Sequence, residues 1–295
     1  MTKTLKIFGI SLLLGVGIMF VWWSYLQNKY SQYLPEFTVT VGSDQRRYHL
    51  YVPETYDAKP QDILVFFQGG NAGSDGAWLV PQQQRWEELA AERGIILAIP
   101  QGKVYFHNEG AWQLNTHSGA MHDVKYIDAM LDDILAMYEF ELGRVYGVGY
   151  SLGSMFAYEM ACHMSTHFVA LASFSGTMPL SPRDCNPGSN VPIMHVHGVD
   201  DPIIQYSKRW DWKAWDSVGT MRDVPSLMQY WVKKFNCKDK SQTNTSSFRH
   251  AEYFNCDQSS KIEHYALLDW GHDWPSTLDG VSTHLKVWQF LDRFN

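Results

Sequence analysis

A serine lies between two glycines in the stretch Gly149-Tyr150-Ser151-Leu152-Gly153. This stretch follows the apolar run Arg144–Val148 and precedes a helical pattern that begins at Ser154, which predicts a sharp strand-to-helix turn. Such a turn exposes a serine hydroxyl at the carboxyl end of a sheet, and flanking glycines leave room for its close packing. Ser151 is therefore a candidate nucleophile, although a capping serine on a plain tight turn has a similar pattern.

A nucleophilic serine needs a histidine base and a carboxylate that orients the histidine. Two later segments contain these residue types just past predicted strands: His197-Gly198-Val199-Asp200-Asp201-Pro202 and Gly271-His272-Asp273-Trp274-Pro275. Loops that leave the carboxyl ends of parallel strands meet at one edge of a sheet. His272 is the predicted base, and either Asp200 or Asp201 is its partner, because only one of two adjacent carboxylates can point at the histidine.

Three other histidines, His195, His197 and His264, could compete with His272. His195 and His197 are two residues apart, so they share one face of a predicted strand. Two histidines without a third ligand at suitable spacing make a poor metal site. We interpret them as hydrogen-bonded core histidines and expect the reaction to need no metal and no organic cofactor.

A tetrahedral intermediate on the serine requires two hydrogen-bond donors for its oxyanion. One is the backbone amide that follows the nucleophile, here Leu152. The glycine-rich stretch Phe67–Asn71 follows an early strand and can approach a substrate closely, so Gly70 is the predicted second donor, with Asn71 as the alternative. A phosphate-binding loop is not expected there, because no Lys-Ser/Thr pair follows at the required spacing.

Tryptophans are frequent near the predicted catalytic segments. Trp274 follows His272, Trp112 precedes the serine, and a further cluster occupies Trp210–Trp215. Tryptophan offers an apolar stacking surface for sugars or aryl acids, so Trp112 and Trp274 are candidates for the wall of a substrate cleft. Ordinary packing in the core or in loops is the alternative for each of them.

The elements that position these residues alternate along the chain. Strands are predicted at Glu36–Gly42, Arg46–Pro53, Asp62–Gln68, Ile95–Pro100, Arg144–Gly149, Val169–Ser175, Pro192–Gly198 and Glu263–Gly271. Helices are predicted at Gln84–Arg93, His122–Phe140, Gly153–Ser165, Val224–Asn236 and Ser282–Phe294. The alternation indicates an α/β fold, a mostly parallel central sheet with helices on both faces.

The first thirty residues differ from the rest. Lys3 and Lys6 precede an apolar run from Ile7 to Trp23, which is typical of an export signal. The aromatic residues that follow favour an uncleaved single-pass anchor over a cleaved signal peptide, and both place residues 31–295, the predicted catalytic domain, outside the cytoplasm. The net charge of −7 and the absence of a Lys/Arg block argue against a nucleic-acid partner.

The chain has four cysteines and no C-x-x-C pair, so zinc-finger and thioredoxin chemistry are not expected. An even number in an exported chain favours two disulfides, and three pairings are possible. Pairing Cys162 with Cys185 and Cys237 with Cys256 closes two short loops and is our prediction. Four buried free thiols are the alternative.

Taken together, these motifs resemble one known family. The chain is similar to the polyhydroxybutyrate depolymerase and feruloyl esterase group, which includes carbohydrate esterase family one, within the α/β-hydrolase superfamily. The matching segments are Tyr48–Pro53, Leu64–Gly70, Asp123–Asp133, Arg144–Tyr146 with Gly149–Gly153, His195–Gly198 with Asp201-Pro202, Trp231–Cys237, and Gly271-His272 with Trp274-Pro275. The resemblance implies an α/β-hydrolase fold that carries a serine esterase without a large cap domain.

The resemblance also narrows the site. It maps the catalytic serine, aspartate and histidine onto Ser151, Asp201 and His272, and it suggests a Cys237–Cys256 disulfide. The chain departs from the family at Gln68, where relatives have histidine, which affects the predicted oxyanion loop. The expected activity is hydrolysis of a carboxylic ester, of polyhydroxybutyrate, feruloyl or acetyl type. A serine peptidase or an inactive binding protein on the same fold are the alternatives.

Overall fold

The structure is a computed structural model that describes residues 34–54, 60–70, 81–104, 110–138, 141–212 and 218–294. The predicted signal segment at residues 1–30 and the alternative donor Asn71 lie outside these residues. Within the described ranges, no helix has both the length and the apolar character needed to cross a membrane.

Ten strands form one large sheet. They are β1 (Glu36–Val41), β2 (Asp44–Tyr51), β3 (Gln61–Phe67), β4 (Ile96–Pro100), β5 (Leu142–Tyr150), β6 (Phe168–Phe174), β7 (Ile193–Gly198), β8 (Asp239–Asn244), β9 (Phe248–Phe254) and β10 (Ile262–Leu267). The five described helices are α1 (Pro81–Arg93), α2 (His122–Tyr138), α3 (Leu152–His163), α4 (Val224–Lys234) and α5 (Thr283–Leu291).

The strand order in the sheet is β1-β2-β4-β3-β5-β6-β7-β10-β9-β8. The six central strands, from β4 to β10 in that order, pair in parallel. The two strands at each edge pair antiparallel. The carboxyl ends of β5, β7 and β10 therefore lie along one edge of the sheet, and the three segments that carry the predicted catalytic residues follow those ends.

The period-2 alternation of the strands explains why helices cover both faces. In β3, Ile63, Val65 and Phe67 pack into one hydrophobic cluster, whereas Leu64 and Phe66 pack into another. The first cluster also contains residues of α2, α3 and α4, and the second contains residues of α1 and α5. A parallel sheet whose strands are apolar on both sides must be covered on both sides, and the predicted α/β fold class is confirmed.

The antiparallel hairpin β8–β9 is absent from the sequence-based prediction. Every residue of β8 is exposed, and its sequence DKSQTN has no apolar alternation from which a strand could be inferred. The strand exists because its backbone pairs with β9 over six residue pairs, from Asp239 opposite Phe254 to Asn244 opposite Arg249. Polar residues along an edge strand also discourage pairing with another chain.

Both disulfides are present, in the nearest-neighbour pairing. Cys162, in α3, bonds Cys185 in the connection that leads to β7, and Cys237, just after α4, bonds Cys256, just after β9. No free cysteine occurs among the described residues. Each bond closes a loop of about 20 residues, for which a stabilisation of about 2–4 kcal/mol is typical.

A buried carboxylate in β10 pairs with an arginine that follows α5. Glu263 in β10 is buried, 2.7 Å from Arg293 Nη2 and 3.5 Å from Lys261 Nζ. Burial alone would raise the pKa of Glu263, but the neighbouring His250, Arg293 and Lys261 outweigh it and lower the pKa to about 2. Glu263, His250 and Glu252 lie close enough together to resemble a set of metal ligands. However, Arg293 already pairs with the Glu263 carboxylate, and Lys261 already pairs with the carboxylates of Glu252 and Glu263.

We predict that Glu263→Gln lowers the free energy of unfolding at pH 7 by about 2–3 kcal/mol. The folded-state pKa lies below the unfolded value of 4.5, so this contribution is present above pH 4.5 and is lost as the pH falls towards 2. Urea unfolding across this pH range measures it, and the variant should have a flatter profile. Glu252→Gln, which removes a part-exposed partner of Lys261, is the control and should cost less than about 1 kcal/mol. Equal losses in both variants would contradict the assignment.

Candidate active site

Ser151 lies on a strained turn between β5 and α3. Its backbone has φ 54° and ψ −120°, a region that non-glycine residues rarely occupy and that typically costs about 1–3 kcal/mol. The Ser151 amide donates to the carbonyl of Phe174 at the end of β6, at 2.8 Å. This bond and the start of α3 hold the turn against the sheet, as the pentapeptide predicts.

The glycines of the pentapeptide are required by close backbone packing. A Cβ atom on Gly153 would overlap the carbonyl oxygens of Phe67 and Gln68, where β3 ends. A Cβ on Gly149 would overlap the backbone of Gly153 itself. The first turn of α3 can therefore approach the ends of β3 and β5 only because both positions lack side chains.

His272 lies between Ser151 and Asp201. Its Nε2 atom is 2.8 Å from Ser151 Oγ, and its Nδ1 atom is 2.7 Å from Asp201 Oδ2. With the proton on Nδ1, the neutral imidazole donates to the carboxylate and accepts the serine hydroxyl proton at Nε2. The structure thus brings together the three residues that the motifs predict, although they are 50 and 71 positions apart in the chain.

The Asp201 carboxylate is fully buried and accepts from several donors. Oδ1 accepts the amides of Ile203 and Ile204, both at 2.8 Å, and Oδ2 lies near His272 and His197. Burial alone would raise the pKa of Asp201, but hydrogen bonds from His197, His272 and Ile204 outweigh it and hold the pKa well below its usual range. Asp201 is therefore an anion at neutral pH.

Asp200, the other carboxylate that the sequence allows, has a different position. Its side chain is exposed, and its backbone amide donates to the carbonyl of Trp270 at 3.0 Å. Asp201, rather than Asp200, is the carboxylate that contacts His272.

The three other histidines lie in the core and bond to their neighbours. His195 Nδ1 lies 2.7 Å from the Tyr158 hydroxyl, and His264 Nε2 lies 2.9 Å from the Tyr206 hydroxyl. Burial lowers the pKa of His264 to about 3 and that of His195 well below its usual range, so both are neutral at pH 7. Their interpretation as hydrogen-bonded core histidines is confirmed, and His197 in addition contacts Asp201 at 3.2 Å.

The predicted oxyanion loop lies beside the serine. A Cβ on Gly69 would be 3.0 Å from Ser151 Cβ, so the backbone of the loop passes directly against the serine side chain. Gly70 follows and is exposed, and no atom of the described residues lies within 4 Å of the place where its Cβ would be. Leu152 is the first residue of α3, and amides of a first helical turn have no acceptor within the helix.

Trp112, the other tryptophan predicted to contact a substrate, is almost completely buried. Its side chain is 1% exposed, and its ring stacks on Phe156 with the centroids 4.5 Å apart. Its Nε1–H donates to the carbonyl of Gln68 at 2.9 Å. Trp112 is therefore a core residue that fixes the loop preceding Gly70, and the sequence could not distinguish this role from substrate contact.

Trp274 lies two residues after His272 and is partly buried. Its ring stacks on Phe174 with the centroids 4.0 Å apart and meets Tyr150 edge-on at 6.1 Å. Much of its surface therefore packs against the protein. A contact between Trp274 and a substrate stays a prediction.

Tyr150 is a site residue that the sequence reasoning missed. Its hydroxyl donates to the carbonyl of His272 at 2.7 Å, and its ring lies 5.5 Å from the imidazole. Burial, together with the charges of Asp273 and Asp201, raises the pKa of Tyr150 to about 12, so the hydroxyl keeps its proton. The available signal was its position directly before the serine, which places it at the same sheet edge as His272.

Comparison with known proteins gives a family match over part of the chain and a similar fold. Residues 103–215 match the phospholipase/carboxylesterase family, a segment that contains Ser151 and Asp201. An acetyl xylan esterase from Aspergillus awamori has a similar structure, with a TM-score of 0.62 over 88% of this chain and 99% of that one, at 16% identity. A carboxylesterase from Bacillus cereus has a TM-score of 0.51 over 84% and 94%, at 13% identity. This chain has the α/β-hydrolase fold.

Relatives by sequence carry esterase names, and the family resemblance stated above is confirmed. A bifunctional acetylxylan esterase/xylanase of Neocallimastix patriciarum is 24% identical over 84% of this chain and 33% of the relative. A probable feruloyl esterase C of Aspergillus niger is 26% identical over 83% of each chain, and feruloyl esterase C of Emericella nidulans is 30% identical over 57% and 60%. The chain thus spans a third of the first relative and most of the second.

We predict that Gly153→Ala lowers the free energy of unfolding of this protein by about 3 kcal/mol. The added Cβ would overlap rigid backbone of Phe67 and Gln68 rather than a movable side chain. Urea unfolding measures the change. The matched control is Gly70→Ala, where no atom of the part of the chain that the structure describes lies within 4 Å of the added Cβ, and it should stay within about 1 kcal/mol of wild type. A Gly153→Ala variant as stable as this control would contradict the packing account.

Proposed function

We propose that this protein is an exported serine esterase that hydrolyses carboxylic esters through an acyl-enzyme. The observation that best supports this is the pair of hydrogen bonds made by His272, 2.7 Å to Asp201 and 2.8 Å to Ser151. In one geometry they supply the nucleophile, the general base and the group that orients the base.

In the acylation step, Ser151 Oγ attacks the ester carbonyl while His272 Nε2 takes the hydroxyl proton. The imidazolium that forms is stabilised by the buried Asp201 carboxylate, which stays ionised throughout. The intermediate then collapses, the bond to the alcohol oxygen breaks, and His272 returns its proton to the leaving alcohol. An acyl ester on Ser151 remains.

In the deacylation step, His272 accepts a proton from water, and the resulting hydroxide equivalent attacks the acyl carbonyl. Collapse releases the carboxylic acid and returns the proton to Ser151. In both steps the oxyanion accepts hydrogen bonds from the amides of Leu152 and Gly70. The indole of Trp112 supports the second donor, because it anchors the Gln68 carbonyl next to it.

Two observations support an extracytoplasmic location. The chain has two disulfides, which persist in oxidising compartments. The basic and apolar start of the sequence is typical of an export signal, either cleaved or kept as an anchor.

The proposed substrates are feruloyl, acetyl or hydroxybutyrate-type esters. Feruloyl and acetylxylan esterases are among the relatives of this chain by sequence. The exposure of Gly70 and the partial exposure of His272 support access of an ester from solvent to Ser151.

We predict that Ser151→Ala lowers ester turnover by at least ~10³-fold and abolishes labelling by a fluorophosphonate probe, because no other nucleophile replaces the hydroxyl. Asp201→Asn should cost about 10⁴-fold in kcat, because an amide favours the wrong tautomer of His272. Initial rates on an aryl ester and mass mapping of the adduct provide the measurements.

The matched control for Asp201→Asn is Asp200→Asn, which changes the adjacent exposed carboxylate and should leave turnover within about twofold of wild type. An adduct on a residue other than Ser151, or equal losses at positions 200 and 201, would refute the assigned roles.

We also predict that the full-length protein hydrolyses at least one ester in a panel of methyl ferulate, acetylated xylan, a hydroxybutyrate oligomer and an aryl acetate, and leaves peptide anilides intact. The Ser151→Ala variant gives the blank for every substrate. Faster cleavage of the anilides would make the protein a serine peptidase. Polysaccharide or polyester binding without turnover would make it a binding protein.

A further inference from the structure

Asp201 has a second histidine neighbour that the catalytic steps do not use. His197, in β7, is fully buried, and its Nε2 atom lies 3.2 Å from Asp201 Oδ2 and 2.8 Å from the carbonyl of Ile204. His272 contacts the same carboxylate oxygen at 2.7 Å. One oxygen therefore lies within reach of two imidazoles.

The partners of His197 fix where its proton is. Nε2 faces only acceptors, a carbonyl and a carboxylate, so Nε2 must carry a hydrogen. Nδ1 lies 3.3 Å from His195 Nε2. In the neutral imidazole Nδ1 is then an acceptor, and it receives the Nε2 hydrogen of His195.

The neighbours of His195 likewise determine which of its ring nitrogens carries the hydrogen. With its hydrogen on Nε2, His195 accepts at Nδ1, and two hydroxyls lie there, that of Tyr158 at 2.7 Å and that of Ser173 at 3.1 Å. His195 is 0% exposed, and burial holds its pKa well below the usual range, so it is neutral. Every donor in the series therefore points towards Asp201.

We propose that His197 is a positioning residue for ester hydrolysis: it shares its Nε2 hydrogen between the Ile204 carbonyl and Asp201 Oδ2, and the buried series Tyr158–His195–His197 keeps the hydrogen on that nitrogen. This inference depends on the proposed function, because it assigns the partner that holds the orienting carboxylate. The reacting atoms are not touched by His197, and no proton needs to move along the series.

The physical reason is that a carboxylate with one anchored oxygen can still tilt. The amides of Ile203 and Ile204 hold Oδ1, and without His197 the second oxygen would have His272 as its only donor among the described residues. A second donor at Oδ2 restrains the tilt of the carboxylate that His272 contacts. A misplacement of about 1 Å at a catalytic group can cost about 10²-fold in rate, so this restraint has a kinetic consequence.

The experiment compares His197→Leu with His197→Gln in the full-length protein. Leucine fills the space without a donor, whereas the glutamine amide reaches the position of Nε2 and keeps an N–H. We expect His197→Leu to lower kcat by about 10- to 100-fold with KM within about twofold, and His197→Gln to restore most of the rate. Wild-type kcat in His197→Leu, or equal losses in both variants, would overturn the proposal.

A proton NMR measurement tests the same contact without ester turnover. The Nδ1–H proton of His272, which bonds Asp201, should give a downfield signal in wild type and in His197→Gln, and a shifted or broadened signal in His197→Leu. An unchanged signal in His197→Leu would overturn the proposal. Failure of the proposed esterase function can be distinguished from failure of the His197 proposal. In the first case the wild-type protein lacks ester turnover and fluorophosphonate labelling, while its downfield signal can still change when His197 is replaced.

A second variant applies if His197→Leu fails to fold. The double change Tyr158→Phe and Ser173→Ala removes both hydroxyls that lie at His195 Nδ1 but keeps His197 and the aromatic ring at position 158. The tautomers of His195 and His197 are then free to reverse, so we expect a loss in kcat of about 3- to 10-fold at constant KM. An unchanged kcat would overturn the role of the series.

Discussion

A carboxylate that stays charged inside the protein needs donors on every side, and Asp201 has this requirement. It is fully buried, and an uncompensated anion there would cost several kcal/mol. Its donors come from different parts of the fold: the amides of Ile203 and Ile204 from its own loop, His197 from β7, and His272 from the loop after β10. The carboxyl ends of β7 and β10 must therefore lie side by side, and the parallel pairing of these two strands places them so.

Close backbone approach makes a similar demand at the serine. The positive φ of Ser151 is kept because the first turn of α3 packs directly on the ends of β3 and β5, through positions 149 and 153 that tolerate no side chain. The same approach brings Gly69 against Ser151. Strain at the nucleophile is thus maintained by packing of regular elements rather than by flexible loops, and the hydroxyl is fixed before a substrate binds.

The sequence predicted the parts of the fold that local patterns encode. Strands such as β3 and β7 are buried on both faces and read as apolar runs, and Ser151 and His272 lie in short motifs bounded by glycine. The hairpin β8–β9 left no such pattern, because β8 is exposed along its whole length and depends on backbone pairing. Pattern alone could not reveal such a strand.

Side-chain roles that depend on distant contacts were harder to predict. Trp112 looked like a surface for substrate stacking, yet it is a buried donor to Gln68, 44 positions earlier in the chain. Adjacent carboxylates such as Asp200 and Asp201 have the same chemistry, and only the turn after β7 decides which one is buried. Sequence spacing limits the candidates, and three-dimensional burial selects among them.

The disulfides strengthen the part of the molecule on which this selection depends. The Cys162–Cys185 bond closes the segment that contains β6, whose last carbonyl accepts the amide of Ser151, and it joins α3 to the connection that leads to β7. A bond that shortens the free loops of the unfolded chain stabilises everything that folds with them. The strained serine and the buried anion both lower the free energy of unfolding. A crosslink between the elements that carry them offsets this cost.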